Sequence, residues 1–283
     1  MKILAIGDLV GEGGVRKLKE ELPKIKQQEN IDFVIVNAEN SAGGMGITTK
    51  IYNELIDLGI DVITMGNHTW GKKDIFSFID NDNIIRPANY SEKVPGHGYG
   101  IYTCKNSNIG ALENWAKNTN PASSTSEKEK SSKRICVVNL IGRTDMNVLS
   151  ENPFLKMQEI LEQVKGKADI IILDFHAEAT AEKIAMGHYL DGQVTAVFGT
   201  HTHVQTADEQ ILENGTGYIT DIGMTGPRKS VIGMDINASI KRFETTLPEK
   251  YKLAEGNCVL NGCIFEINDE TCRVSKITRV ARK

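Results

Sequence analysis

The residues best suited to chemistry are two histidines, His201 and His203, which follow a glycine at the end of an apolar run over residues 194–198. In an extended segment, residues two apart point to the same side, so both imidazoles can reach one site. On a helix they could not, because neighbouring side chains there are three or four residues apart. Histidine is the commonest metal-binding side chain. A single His-x-His is nevertheless more typical of a polar surface turn. It indicates a metal site only if other apolar runs in the chain also end in residues that can bind a metal.

Four further apolar runs end with a polar side chain that can bind a metal. The runs cover residues 2–6, 33–36, 62–65 and 170–173, and the residues that follow them are Asp8, Glu39 with Asn40, Asn67 with His68, and His176. Taken singly, such residues cap helices, form Asx-turns or lie satisfied in a core. Five such strand ends in one chain, which carry four of its six histidines, instead indicate a shared site.

The ligand types in this set define the chemistry of the predicted site. Carboxylate, amide and imidazole groups without a thiolate suit first-row metals such as Mn, Fe or Zn. There are too many of them for one ion. They suit two ions about 3.5–4 Å apart, bridged by a carboxylate, which is the arrangement that stabilises the attacking and leaving oxygens in phosphoryl transfer.

The elements that must position these residues alternate between strand and helix. Helical patterns cover residues 15–28, 48–58, 153–165 and 181–190. Thr48 or Thr49 is the expected N-cap of the second helix, and Pro23 predicts a kink or an early end of the first. Such alternation is typical of a mainly parallel sheet, in which ligands lie at the carboxyl ends of the strands. Later runs at residues 210–212, 218–220, 258–267 and 273–280 indicate antiparallel strands.

Domain organisation follows from the absence of a repeat or a clear linker. We expect a single domain over residues 1–283, interrupted by a polar surface insertion at about residues 114–134. That segment is rich in Ser and Lys and almost free of apolar side chains. It therefore cannot bury enough surface to offset the entropy of ordering it.

Composition limits the partners and the compartment. A formal charge of −4 and a pI near 5.9 give no basic surface for gripping a nucleic-acid backbone, although a small nucleotide or a short RNA end remains compatible. No apolar stretch reaches the roughly 18 residues of a membrane span, and the N-terminal segment does not have the form of a signal peptide. The five cysteines have no Cys-x-x-Cys spacing, so we expect them to be reduced and the protein to be cytoplasmic.

The ordered motifs resemble those of the calcineurin-like metallophosphoesterases. The longer strings NAENSAGGMGIT, TMGNHTWGKKDI, DFHAEATAEKIAMGHYLDG and GTHTHVQTAD resemble one bacterial branch, the YmdB-type 2′,3′-cyclic-nucleotide 2′-phosphodiesterases. The similarity extends from residue 1 to about residue 280. It implies an α/β fold, the four-layer αββα sandwich of metallo-dependent phosphatases with mixed sheets, and a two-metal hydrolase that acts on a small phosphodiester such as a cyclic nucleotide. Relatives also suggest a homo-oligomer.

One position departs from the wider superfamily, in which many members have Asp-x-His at the first strand end. Here the third residue of that motif is Val10, which cannot bind a metal, and Asn40 is the natural substitute. Its hard carbonyl oxygen suits Fe or Mn, with Zn as the alternative, so we expect two divalent or trivalent ions of these metals.

The resemblance also suggests a role for each residue. The first metal is expected at Asp8, Glu39, Asn40 and His203, and the second at Glu39 as the bridge, Asn67, His176 and His201. A metal-bound hydroxide would attack phosphorus, and His68 would protonate the leaving ribose oxygen as general acid. Alternatively, His68 only orders the phosphate by hydrogen bonding. The loop at residues 220–227 is expected at the cleft, and Ser41, Gly43 and Gly44 either donate backbone N–H groups to the substrate or form a plain turn.

Three functions remain open at this point. The chain is a di-metal phosphodiesterase, a di-metal phosphomonoesterase such as a nucleotidase or protein phosphatase, or a non-catalytic regulatory protein. His68 beside a full ligand set favours an enzyme, because a structural metal site needs no open position. The choice of substrate depends on the family branch, since the sequence reveals no base-stacking aromatic cluster and no phosphate-binding Arg pair.

Overall fold

The computed structural model describes residues 1–104 and 132–283. The predicted polar insertion lies largely outside the described residues, and its last two residues, Lys133 and Arg134, belong to a strand. Within the described ranges, no helix has the length and apolar character needed to cross a membrane.

The described elements alternate much as predicted. The strands are β1 (Lys2–Ile6), β2 (Asp8–Leu9), β3 (Phe33–Asn37), β4 (Val62–Thr64), β5 (Ile84–Ile85), β6 (Tyr99–Cys104), β7 (Lys133–Ile141), β8 (Ile170–His176), β9 (Ala196–Thr200), β10 (Gln210–Ile211), β11 (Gly217–Ile219), β12 (Met224–Pro227), β13 (Cys258–Ile267) and β14 (Val274–Arg282). The helices are α1 (Gly11–Glu29), α2 (Thr49–Asp57), α3 (Pro153–Val164), α4 (Thr180–Tyr189) and α5 (Ile236–Thr245), with a 3₁₀ helix at Lys73–Ser77.

The strands form two mixed sheets. The first has the order β2-β12-β13-β1-β3-β4-β5, with β14 paired to β13, and the second has the order β10-β11-β9-β8-β7-β6. The centre of each is parallel, at β1-β3-β4 and at β7-β8-β9, and antiparallel pairs flank it. The carboxyl ends of the parallel strands therefore meet along one edge of each sheet.

The layers follow from the alternation of side chains along each strand. In β1, Ile3 and Ala5 pack toward the second sheet, whereas Leu4 and Ile6 pack with α1 and α2 on the outer face. The outer face of the second sheet packs with α3 and α4. Helix, sheet, sheet and helix thus form the four layers of an αββα sandwich, and the predicted fold class is confirmed.

Helix ends explain where the sequence prediction succeeded and failed. Thr48 caps α2 by accepting a hydrogen bond from the backbone N–H of Ile51, as expected of an N-cap. The predicted early end of α1 at Pro23 is wrong, because α1 continues to Glu29 with a buried face of Leu18, Leu22 and Ile25. Packing of that face outweighs the lost backbone hydrogen bond.

The sequence prediction for the C-terminal third was incomplete. β11 pairs antiparallel with β10, as predicted for residues 210–212 and 218–220, but its parallel pairing with β9 was not predicted. The helix α5 was not predicted, and none of its residues is buried. The sequence of α5 is nevertheless amphipathic, with Ile236, Ile240 and Phe243 three or four residues apart, so a periodic signal was present and was missed.

Candidate metal centre

The site lies where the two sheets bring their strand ends together. Its residues lie at or just beyond the ends of five strands: Asp8 in β2, Glu39 and Asn40 after β3, Asn67 and His68 after β4, His176 at the end of β8, and His201 and His203 after β9. All eight predicted site residues are brought into one cluster. Both sheets contribute, so sandwich packing is what completes it.

One part of the cluster is centred on His176, whose side chain is fully buried. Three other potential ligand atoms lie close to His176 Nε2: Asn67 Oδ1 at 2.9 Å, Glu39 Oε1 at 3.0 Å and His201 Nδ1 at 3.1 Å. For metal–ligand bonds of about 2.1 Å, ligand atoms at right angles lie about 3.0 Å apart. The three distances from His176 Nε2 match that spacing, and ligand atoms of Glu39, His176 and His201 lie close enough together to hold a metal ion.

Asp8 supplies an independent observation in favour of a cation. It is fully buried, and within the described ranges its Oδ1 atom has no hydrogen-bond partner. The nearest basic groups are His203 Nε2 at 3.8 Å and His176 Nδ1 at 4.0 Å from that oxygen. Burial raises the pKa of Asp8. Because a buried carboxylate without a partner is costly, this oxygen fits a metal ligand.

His176, His201 and His203 share a feature typical of metal-binding histidines. In each ring, the nitrogen that does not face the cluster contacts a second polar group. The contacts are His176 Nδ1 to Thr200 Oγ1 at 2.9 Å, His201 Nε2 to Glu178 Oε2 at 3.1 Å, and His203 Nδ1 to the Ile232 carbonyl at 2.9 Å. Each contact fixes the orientation of its ring. The opposite nitrogen is thereby directed at the cluster.

A chain of hydrogen bonds extends behind His176. Thr200 Oγ1 donates to Asp174 Oδ1 at 2.7 Å, and Thr64 Oγ1 donates to Asp174 Oδ2 at 2.5 Å. Burial raises the pKa of Asp174 to about 6, against the lowering effect of His176 and the two hydroxyls. These residues were not predicted, although an aspartate inside the apolar run IIILDF is a signal that could have identified Asp174.

Burial and the neighbouring charges shift the pKa values of Glu39, His176 and His201 in different directions. Burial opposes ionisation of Glu39, but His176 and His68 outweigh it and lower its pKa to about 2. Burial also opposes protonation of His176, yet Glu39 and Asp8 raise its pKa to about 9. Burial and the neighbouring His176 lower the pKa of His201 to about 3. Glu39 is therefore ionised and His201 neutral near pH 7, as ligands must be, whereas the raised pKa of His176 keeps it protonated until a metal displaces the proton.

Asn40 and His68 form a pair at the solvent side of the cluster. Asn40 Nδ2 lies 3.3 Å from Glu39 Oε1 and 3.2 Å from His203 Nε2, whereas Asn40 Oδ1 lies 2.7 Å from His68 Nδ1. The amide nitrogen thus faces the cluster in this conformation. A 180° rotation of the amide would exchange the two atoms and direct the oxygen between Glu39 and His203.

The segment that carries His201 and His203 is strained and firmly held. Both residues have positive φ angles, 97° and 65°, which non-glycine residues rarely adopt. Asp221 Oδ2 accepts hydrogen bonds from the backbone N–H and the hydroxyl of Thr202, at 3.2 and 2.8 Å, and lies 2.6 Å from Lys183 Nζ. The buried Lys183–Asp221 pair was not predicted, since its partners lie 38 residues apart.

A glycine is required beside the cluster. A Cβ atom at Gly66 would collide with Glu39 Oε2 and His176 Nε2. Ser41 and Gly44 use their backbone N–H groups within a turn, donating to the carbonyls of Ala38 and Asn40. This geometry favours the interpretation that Ser41 and Gly44 form a plain turn over the interpretation that their N–H groups bind the substrate.

Comparison with known proteins places this site in a family. A family model described as YmdB-like protein matches residues 4–116 and 113–280. The chain belongs to the YmdB-like family. It is 46% identical over 281 residues to the 2′,3′-cyclic-nucleotide 2′-phosphodiesterase of Bacillus subtilis (strain 168), covering 99% of this chain and 96% of that protein.

Solved structures of similar proteins have the same architecture. A protein from Mycoplasma pneumoniae described as a novel phosphatase matches with a TM-score of 0.85 at 33% identity, covering 100% of this chain and 93% of that one. A hypothetical protein from Thermus thermophilus matches with a TM-score of 0.83 at 34% identity, covering 100% and 99%. The αββα sandwich of this YmdB-like protein is therefore shared with a phosphatase.

In this member of the family, a cavity of about 490 Å³ opens above the cluster. Glu39, Asn40, His68, His201 and His203 line its floor, and its other side is lined by residues from 231–251, among them Arg242, Phe243 and Tyr251. None of these three was predicted, because they reach the site only through tertiary packing. The loop at residues 220–227, expected at the cleft, is absent from the lining of this cavity.

Proposed function

We propose that this chain is a two-metal phosphodiesterase that hydrolyses 2′,3′-cyclic nucleotides or related phosphodiesters. The observation that carries the proposal is the group of three potential ligand atoms within 3.1 Å of a fourth, His176 Nε2. The unpartnered Asp8 oxygen beside it supports a second cation. The name of the Bacillus subtilis relative supports the substrate class.

The ligand assignment is part of the proposal. The first ion would be held by Asp8, Glu39, Asn40 and His203, and the second by Glu39, Asn67, His176 and His201. Asn40 would present its oxygen after the amide rotation described above. Carboxylate, amide and imidazole ligands favour Fe or Mn, with Zn as the alternative.

Metal ions held in such a site supply a nucleophile at neutral pH and Lewis-acid stabilisation of the phosphoryl oxygens. The contribution of the chain is to orient the ligands and to move a proton. His68 lines the cavity and is 30% exposed, and its backbone N–H donates to Glu39 Oε2 at 2.7 Å. After the amide rotation, Asn40 Nδ2 would face His68 Nδ1 and donate to it, so Nε2 would carry the proton that His68 delivers to the leaving ribose oxygen.

A phosphomonoesterase activity is the second candidate. The Mycoplasma pneumoniae structure described as a phosphatase supports it. A purely regulatory, non-catalytic role is disfavoured, because an open cavity of about 490 Å³ adjoins the ligand cluster. RNA ends that carry a cyclic phosphate are included in the proposed substrate class.

The compartment and the assembly belong to the proposal as well. All five cysteines are free thiols, which supports a reducing cytoplasmic location. Exposed apolar side chains outside the cavity, Ile240 on α5 and Leu247 just after it, support contact with a second copy in a homo-oligomer.

Metal analysis combined with a substrate screen tests the proposal. Purified protein should contain close to two ions of Fe, Mn or Zn per chain. It should hydrolyse 2′,3′-cyclic AMP and bis-p-nitrophenyl phosphate faster than p-nitrophenyl phosphate. Preference for p-nitrophenyl phosphate would favour the phosphomonoesterase instead. Absence of bound metal, with no activity gained on adding these ions, would exclude both enzymes.

A further inference from the structure

Residues 231–251, here called the cap, form the side of the cavity opposite the cluster. Ala238, Ser239, Arg242 and Phe243 of α5 line the cavity. Because these positions are three or four residues apart, they form one face of the helix. Asp235 caps α5 by accepting a hydrogen bond from the backbone N–H of Ala238 at 2.9 Å. This face is therefore presented to the cluster by a regular, capped helix.

The cap is attached to the cluster at both of its ends. The Ile232 carbonyl accepts the hydrogen bond from His203 Nδ1 at 2.9 Å. Tyr251 Oη donates to the Gly44 carbonyl at 3.4 Å. Since Glu39 and Asn40 lie just before that turn, both attachments position the cap relative to the ligand residues.

Phe243 has no comparable structural role. Its side chain lines the cavity but is 79% exposed, so it contributes little to a core. Next to it, the Arg242 guanidinium makes no ion pair within the described ranges. An aromatic ring and an unpaired cation thus face a cavity whose floor is the ligand cluster.

The size and chemistry of this space indicate its occupant. A cavity of about 490 Å³ is in the range of small-molecule sites, about 300–1,000 Å³. A phosphodiester at the cluster would leave its organic part pointing toward the cap. Aromatic side chains stack on nucleobases of every type, because each base has a π-face.

We propose that Phe243 is a specificity-determining residue that stacks on the nucleobase of a substrate whose cyclic phosphate lies at the cluster. This inference rests on the proposed function and names the part of the substrate that the cap recognises. It assigns the exposed Phe243 ring to the substrate rather than to a second copy of the chain.

The test compares 2′,3′-cyclic AMP with a base-free analogue, the 2,3-cyclic phosphate of methyl riboside, on metal-loaded protein. The measured quantity is the ratio of kcat/KM for the two substrates. Stacking is worth about 1–3 kcal/mol per base, so Phe243→Ala should lower the ratio by about 5- to 150-fold. Phe243→Leu should lower it as well, because leucine keeps the apolar character without the π-face. Phe243→Tyr should preserve it within about twofold.

Ile240→Ala is the matched control. Ile240 lies on the same helix and is 54% exposed, but it does not line the cavity. The ratio should not change in this variant. The oligomeric state of each variant is measured by light scattering on the same samples.

The outcomes separate this inference from the proposed function. An unchanged ratio in Phe243→Ala, with turnover of 2′,3′-cyclic AMP by the wild-type protein, would overturn the inference alone. Equal losses on both substrates together with a changed oligomeric state would also overturn it and assign Phe243 to a contact between copies. Failure of the metal-loaded wild-type protein to hydrolyse either substrate would overturn the inference and the proposed function together.

Discussion

The buried Lys183–Asp221 pair makes a prediction about how the histidine segment is held. Lys183 Nζ donates to Asp221 Oδ2 at 2.6 Å and to the Thr200 carbonyl at 2.8 Å, and both side chains are about 1% exposed. Asp221 in turn accepts from Thr202 and from the backbone N–H of Gly223. Replacing Lys183 by Met keeps most of the bulk of the side chain and removes its charge together with the hydrogen bond to the Thr200 carbonyl.

The size of the effect follows from burial. Lys183→Met leaves the Asp221 carboxylate in the interior without its cation, which typically costs about 3–5 kcal/mol of stability. Asp221→Asn leaves the ammonium unpaired and should cost a similar amount. In the double variant neither charge is buried, so its cost should be smaller than the sum of the single costs by about 2–3 kcal/mol.

Urea unfolding of the metal-free protein, followed by circular dichroism, measures these free energies. Lys165→Met is the control, because Lys165 pairs with Glu162 at the surface, where solvent screens the charges. This variant should leave the unfolding midpoint nearly unchanged. Additive costs in the double variant would refute the reasoning, since they would mean that the two buried charges do not stabilise each other.

Three further predictions concern the cluster and the core. His68→Ala should slow hydrolysis of 2′,3′-cyclic AMP by about 10²–10⁴-fold and that of bis-p-nitrophenyl phosphate much less, because only the ribose oxygen needs a proton on leaving. The metal content should not change, and kinetics on both substrates measures the two rates. Equal losses on both substrates would mean that His68 stabilises transition-state charge instead. Asn40→Ala should lower occupancy of the first metal more than the second, as measured by elemental analysis; full metal content and turnover would remove Asn40 from the ligand set. Burial raises the pKa of Asp61 to about 6, against the opposing backbone hydrogen bond from Val34 and the charge of Lys26. The folded state therefore binds the Asp61 proton more tightly than the unfolded state does. The stability that comes from the protonated Asp61 carboxyl is complete below about pH 4 and is lost as the pH rises through 6. Between pH 4 and 7, the free energy of unfolding in urea should change by up to about 3 kcal/mol less in Asp61→Asn than in the wild-type protein. The same change with pH in both proteins would contradict this prediction.

Much of the ligand cluster could be predicted because parallel strands place their carboxyl ends along one edge. Asp8, Glu39, Asn67 and His176 each follow or end an apolar run, so their convergence needed only the alternation of strands and helices. The ligand types also predict the class of metal, since carboxylate, amide and imidazole ligands without thiolates suit first-row ions, and this stays a prediction until metal analysis tests it. The orientation of the Asn40 amide was not readable, because it depends on hydrogen bonds to His68 and His203.

The sequence by itself determined the alternation of strands and helices and the strand-end residues of the cluster, because periodic burial and strand-end chemistry are local signals. The αββα layers were expected only from the resemblance to the metallophosphoesterases. Tertiary structure alone decided what surrounds the cluster. Lys183 meets Asp221 across 38 residues, and Tyr251 meets Gly44 across 207. The cap came over the cavity through such contacts, although α5 buries none of its residues. Contacts of this kind depend on where separate elements pack and leave no periodic pattern in the chain, so the cap residues that line the cavity emerged only from the fold.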